Sequence, residues 1–130
     1  MKRSLFVLAA ALCATVGATG AALAQSPAGG DTLKKVKDSG AVTMGVRESS
    51  GGLSFTLGDG KYAGFHVEVC EKVLDDVKRQ LGLAKLEVRY QPVTSQNRIP
   101  LLQNGTIDIE CGSTTNNVTR QKDVSFVMTT

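Results

Sequence analysis

Histidine and cysteine are scarce in this 130-residue chain, which has one histidine, His66, and three cysteines, Cys13, Cys70 and Cys111. So few nitrogen and sulfur ligands exclude a tetrahedral structural zinc site unless other groups join it, and no metal or cofactor is expected. There is no run of Lys and Arg, so neither nucleic acid nor an anionic membrane surface is indicated as a partner. The glycines at Gly51-Gly52 and Gly58 to Gly60 lack the Gly-Lys-Ser/Thr ending of a phosphate loop and are read as turns. Asp108 and Glu110 alternate on a predicted strand and share a face. With no evident nucleophile or titrating partner beside them, they are read as ordinary strand carboxylates rather than an acid/base pair. His66 is read as a helix-surface histidine. No internal repeat is visible.

The start of the chain sets the compartment. Lys2 and Arg3 precede an uncharged run from Leu5 to Leu23 that is rich in Ala, Leu and Val and closes with Ala22-Leu23-Ala24. This is the pattern of a Sec signal peptide over residues 1–24, cleaved before Gln25. A membrane anchor is the alternative, but Gly17, Gly20 and the small-residue ending favour cleavage. Leu12 stands where a lipoprotein signal needs a small residue before its cysteine, so Cys13 is expected to leave with the signal. Removing residues 1–24 leaves 106 residues and takes away Lys2 and Arg3, lowering the net charge from +3 to +1. That length allows one small core. Cys70 and Cys111 remain in a compartment that permits disulfides. The favoured reading is two buried thiols, with a Cys70–Cys111 bridge as the alternative, because the geometry of a bridge is not readable from sequence.

Residues 25–40 form a Ser/Pro/Gly leader and a short helix that ends at Gly40, and the folded lobe is expected over 41–130. The run Ala41 to Val46 is a buried strand with Arg47 at its exit. Leu53 to Tyr62 is a hairpin turning at Gly58-Asp59-Gly60. The apolar positions Phe65, Val69, Val73, Val77 and Leu81, with Cys70 and Leu74 beside them, predict a long amphipathic helix stopped by Gly82. Further strands are predicted at 86–90 and 107–110, a helix at 98–103, a helical turn within 116–122, and a strand at 124–127. Alternating strands and helices imply an α/β layer with a mainly parallel sheet, whose ligand crevice lies outside the carboxyl ends of the strands. Since the chain stops directly after a predicted strand, it is expected to be an incomplete piece.

Arg47, Arg98 and Arg120 each follow a strand or begin a helix, and each is flanked by small hydroxyl or amide residues. A guanidinium is permanently charged and offers a planar fork of donors to a carboxylate, and helix N-termini at the same edge would add backbone donors. If the three converge, they select a ligand with more than one carboxylate. Taken singly, each is better explained as a solvated surface group or an ion-pair partner of Glu48 or Asp123.

The segments "VTMGVRESS" and "TSQNRIPLLQNGTIDIECGSTTNNVTRQK" (Thr94 to Lys122) resemble the periplasmic glutamate/aspartate-binding proteins of ABC importers, within solute-binding protein family 3. The resemblance covers the mature region and is weakest at the leader and at the hairpin of residues 54–62. It implies the first lobe of a two-lobed, periplasmic-binding-protein-like clamshell, with the second lobe missing. It also implies a monomer in the periplasm that binds L-glutamate or L-aspartate and presents it to a membrane permease. Carried over by position, Arg120 would clamp the ligand α-carboxylate with help from Thr115, and Ser113 would receive the α-ammonium. Arg47, Ser95 and Arg98 would hold the side-chain carboxylate. Such a module needs no catalytic residue. The rival readings are a dehydratase-like periplasmic enzyme on the same architecture and the sensory ectodomain of a receptor.

Overall fold

A computed structural model describes residues 32–127. The signal peptide expected over residues 1–24 and the leader up to residue 31 lie outside the described residues. The elements follow the order α1 (Thr32–Ser39), β1 (Ala41–Val46), β2 (Phe55–Gly58), β3 (Lys61–Ala63), α2 (Phe65–Gln80), β4 (Glu87–Pro92), α3 (Arg98–Gln103) and β5 (Ile109–Glu110), with a single 3₁₀ turn at Arg120–Lys122. Three strands form a parallel sheet in the order β4-β1-β5, and β2 with β3 forms an antiparallel hairpin. This is the expected α/β arrangement.

β1 is the middle strand, and Val42, Met44, Gly45 and Val46 along it are buried. A strand covered on both faces needs a near-continuous apolar run rather than strict alternation. At Gly45 the neighbours come so close that an added Cβ would lie 2.6 Å from Ile107 Cδ1 and 3.3 Å from Val93 Cγ1. The β5 ladder runs beyond its two-residue core, since the Asp108 amide donates to the Thr43 carbonyl and the Cys111 amide to the Gly45 carbonyl, each at 2.8 Å. The hairpin turns through Asp59 and Gly60, both at positive φ (50° and 71°), the conformation that matches the twist of the flanking strands.

α2 departs from its expected face. Phe65, Val69 and Val73 are exposed, while Val67 and Leu74 are buried and Cys70 and Leu81 pack against the core. The reason is the helical period. Residues four apart advance by roughly 40° more than one full turn, so a strict i+4 stripe winds off the core-facing side. Residues 67, 70, 74, 77 and 81 alternate steps of three and four and stay beneath the helix. This register brings Cys70 over the exit of β5, where it forms a disulfide with Cys111 (Cα–Cα 6.3 Å), so the favoured reading of two free thiols is corrected. Both cysteines belong to the core or its margin, and packing over 41 residues of sequence sets their approach.

α1 is fastened to the sheet from outside. Lys35 Nζ donates to the Gly105 carbonyl (2.9 Å) and to Asp108 Oδ1 (2.8 Å), while Asp108 Oδ2 accepts from the Thr43 amide (2.8 Å). The strand expected at 124–127 does not form among the described residues. Instead, the Val124 amide returns to the Arg120 carbonyl (3.0 Å), and Val127 is exposed. A strand-like sequence without a ladder partner does not become a strand. Replacing both Cys70 and Cys111 by serine is expected to lower stability by about 2–4 kcal/mol. The measurement is denaturant unfolding of the variant beside the oxidised parent, and an unchanged midpoint would show that the bridge contributes nothing to stability.

Candidate functional site at the carboxyl edge of the sheet

Because β1, β4 and β5 run parallel, the loops that follow them leave the sheet at one edge. The structure joins these loops through Arg47. Its Nε donates to Ser50 Oγ (3.1 Å) and its Nη1 to the Val93 carbonyl (3.0 Å), which ties the exit of β1 to the exit of β4. Ser50 Oγ in turn lies 3.2 Å from Ser113 Oγ, which reaches the exit of β5. The fully buried Ser54 bonds the Arg47 amide (2.9 Å) and donates to the Arg47 carbonyl (3.1 Å), holding the backbone from which this arginine projects. Nothing in the sequence marked Ser54, because a lone hydroxyl in a hairpin has no pattern of its own.

Gly112 forms the floor between these groups. A side chain there would collide with Arg47 Cγ and fall 2.5 Å from Glu110 Oε1. Its loop is tied to α2 twice: Cys111 is bridged to Cys70, and His66 Nδ1 bonds the Gly112 carbonyl. His66 is therefore not merely a helix-surface residue. It is half-buried and holds the site loop.

Arg98 is the least exposed of the three arginines, with only 5% of its surface accessible. Its ion partner is Glu110, whose Oε1 is 3.8 Å from Arg98 Nη1. That separation is too long for a hydrogen bond, and Arg98 Nε, Arg98 Nη1 and Glu110 Oε1 are all buried without a hydrogen-bond partner. Burial pushes the Arg98 pKa below its ordinary value. Glu110 opposes that shift, and the charges of Arg120 and Arg47 add to it. Arg47 and Arg98 stand at the exits of β1 and β4, and Arg120 is bonded to the loop that follows β5. Glu110 was expected to be a plain strand carboxylate beside Asp108, but each acid has its own cation, Arg98 for Glu110 and Lys35 for Asp108.

Arg120 sits at the start of the 3₁₀ turn and donates through Nη1 to the Thr115 carbonyl (2.9 Å), while its amide is capped by Asn117 Oδ1 (2.9 Å). Thr115 is exposed and is engaged through its carbonyl, not its hydroxyl. Its neighbour Thr114 carries a buried hydroxyl with no partner, a feature the sequence did not single out. Ser95 is exposed on the β4–α3 loop, which is closed by reciprocal bonds between Thr94 and Asn97 (2.8 and 3.2 Å). The helix-terminal donors expected at this edge are partly spent. The Phe65 and His66 amides at the start of α2 donate to the carbonyls of Gly52 and Leu53 (2.9 and 3.0 Å), and the Arg98 amide to that of Thr94 (3.3 Å).

Two surface depressions lie elsewhere, one beneath α2 against Leu86, Val88 and Tyr90, the other between α1 and the chain after α3. Neither is lined by Arg47, Arg98 or Arg120, so the edge is a candidate site on its chemistry, not on cavity size. Among the described residues, no group of three His, Cys, Asp or Glu side chains is placed to hold a metal ion. Arg98→Ala would strand a buried Glu110 carboxylate and is expected to cost about 3–5 kcal/mol of stability. This is checked by urea unfolding, in which a loss below about 1 kcal/mol would show that Glu110 is solvated after all.

Residues 42–130 match the model of the bacterial extracellular solute-binding proteins, family 3. The chain is 52% identical over 112 residues to the L-glutamate/L-aspartate-binding protein of Pseudomonas aeruginosa, covering 82% of this chain and 37% of that protein. It is 47% identical over 113 residues to the glutamate/aspartate import solute-binding protein of Escherichia coli (strain K12), covering 84% of this chain and 37% of that one. Among solved structures, it resembles an ABC uptake transporter substrate-binding protein from Streptococcus pneumoniae with bound histidine, at a TM-score of 0.61 and 25% identity, over 75% of this chain and 37% of that one. The chain therefore spans little more than a third of the length of these relatives. By its family match and its fold, the chain belongs to the bacterial extracellular solute-binding proteins, family 3.

Proposed function

We propose that this chain forms the first lobe of a two-lobed periplasmic protein that captures glutamate or aspartate and presents it to the permease of an ABC importer. What supports this reading is that Arg47 and Arg98 follow parallel strands that leave the sheet at one edge and Arg120 is bonded to the loop after β5, together with the glutamate/aspartate names of the relatives at 47–52% identity. A dicarboxylic amino acid matches such a cluster because each carboxylate can take a guanidinium fork, whereas an amide would leave one fork unpaired in a partly desolvated place. In this reading Arg120 takes the α-carboxylate, with Thr115 beside it, and Ser113 receives the α-ammonium. Arg47, Arg98 and Ser95 serve the side-chain carboxylate. Ligand would join the two lobes, and the closed monomer would be what the permease recognises. Export by a cleaved signal peptide over residues 1–24 belongs to the same proposal.

Binding without catalysis fits the chemistry of the edge. The carboxylate that faces the guanidiniums, Glu110, is paired to Arg98, and no nucleophile with an adjacent base accompanies it among the described residues. The protein expressed from its whole reading frame is expected to bind glutamate and aspartate one-to-one in isothermal titration, with glutamine and asparagine weaker by roughly tenfold or more. Acids and amides of equal affinity, or no heat with any of the four, would end this reading. In the same assay Arg47→Gln should weaken glutamate at least about tenfold more than glutamine, and Arg120→Gln should weaken both alike by about 10- to 100-fold. Equal losses in the Arg47 variant would remove it from the side-chain role.

A further inference from the structure

Glu110 stands out because a buried carboxylate opposes what a site for acidic ligands would be expected to need. It ends β5 with its side chain 7% exposed, its Oε1 is 3.8 Å from Arg98 Nη1, and neither atom has a hydrogen-bond partner. Gly112 leaves just enough room for this oxygen to lie close to the stem of Arg47. A buried ion pair of imperfect geometry is poor support for stability, since desolvating both ions offsets their attraction. A position that gains little in stability but sits inside the guanidinium cluster calls for an electrostatic explanation.

We infer that Glu110 is a specificity-determining residue, an internal counter-charge that lowers the cluster from three positive charges to a net two and thereby sets how strongly an acidic side chain is preferred over its amide. The inference rests on the acidic amino-acid reading above. Before ligand arrives, the Glu110 carboxylate answers the charge of Arg98, so the three guanidiniums tolerate one another. When ligand arrives, Glu110 repels a second carboxylate but has little effect on a neutral amide. The acid-over-amide ratio is then a balance between three attractions and one built-in repulsion.

The test is the ratio of Kd for glutamine to Kd for glutamate, measured by calorimetry on the protein from the whole reading frame, in four forms: parent, Glu110→Gln, Arg98→Gln and the double variant. Removing the like charge in Glu110→Gln is expected to raise the ratio by about tenfold. Arg98→Gln should lower it, and the double variant should recover most of what Arg98→Gln lost, because the cluster is back at a net two positive charges. A merely structural role would lower the melting temperature of Glu110→Gln and leave the ratio where it was. A ratio unchanged or lowered in Glu110→Gln, or a double variant as poor as Arg98→Gln, overturns the inference. If a single variant does not fold, the double variant carries the test, since it removes both buried charges together. A ratio within about tenfold of the parent supports the inference, and a larger fall overturns it. A parent with no acid preference would defeat the functional reading itself, whereas an acid-preferring parent with an indifferent Glu110→Gln variant defeats only the role given to Glu110.

Discussion

The parallel pairing of β1 with β4 on one side and β5 on the other is the constraint on which the rest of the structure depends. It directs three chain exits, after Val46, Pro92 and Glu110, to a single edge, and only then can residues 47, 98 and 113 act together. The pairing holds because β1 buries Val42, Met44 and Val46, and because Gly45 admits Ile107 and Val93 against the bare backbone. A larger residue at Gly45 would push against the β5 side of the sheet, and a change made in the core would be felt at the edge.

Edge and core are also linked covalently. Cys111 is buried and bridged to α2, and the next two residues are Gly112, whose carbonyl bonds His66, and Ser113, which contacts Ser50. The site loop is thus clamped from the helix side, while Arg47 clamps the β1 and β4 loops together from the other. A site that must hold charged groups in register gains from such bracing, because electrostatic selectivity depends on distances that a mobile loop would blur. The cost is crowding of like charge. Burial and the neighbouring arginines both disfavour the charged form of Arg98, and Glu110 is the group that offsets them. The charge balance in this part of the molecule is therefore a property of four charged groups taken together, not of any single arginine.

Much of this was legible without coordinates. The apolar run at Ala41 to Val46, the Asp59-Gly60 turn, the helical stretch after Phe65 and the placement of Arg47 beyond a strand all follow from short-range periodicity and turn chemistry. The motif block from Thr94 to Lys122 pointed to the family. Other features were hidden. Two apolar stripes of similar spacing compete on α2, and the buried one was decided by which side of the helix lies on the sheet. Cys70 and Cys111 read more readily as buried thiols than as the bridge they form. Asp108 and Glu110 looked alike, yet one fastens α1 and the other faces Arg98. The last apolar segment had strand chemistry but pairs with no strand among the described residues.

By itself, then, the sequence determined the alternation of strands and helices, the turns, and the presence of arginines with small polar neighbours at strand exits. These are local properties, set by side-chain volume, backbone preference and charge within a few residues. Tertiary structure alone decided which face of α2 is buried, that Cys70 meets Cys111, that Arg98 is enclosed with Glu110, and that Ser54, His66 and Gly112 support the site. Each of these is a distance between residues far apart in the chain, and such distances arise only when the sheet and helix pack.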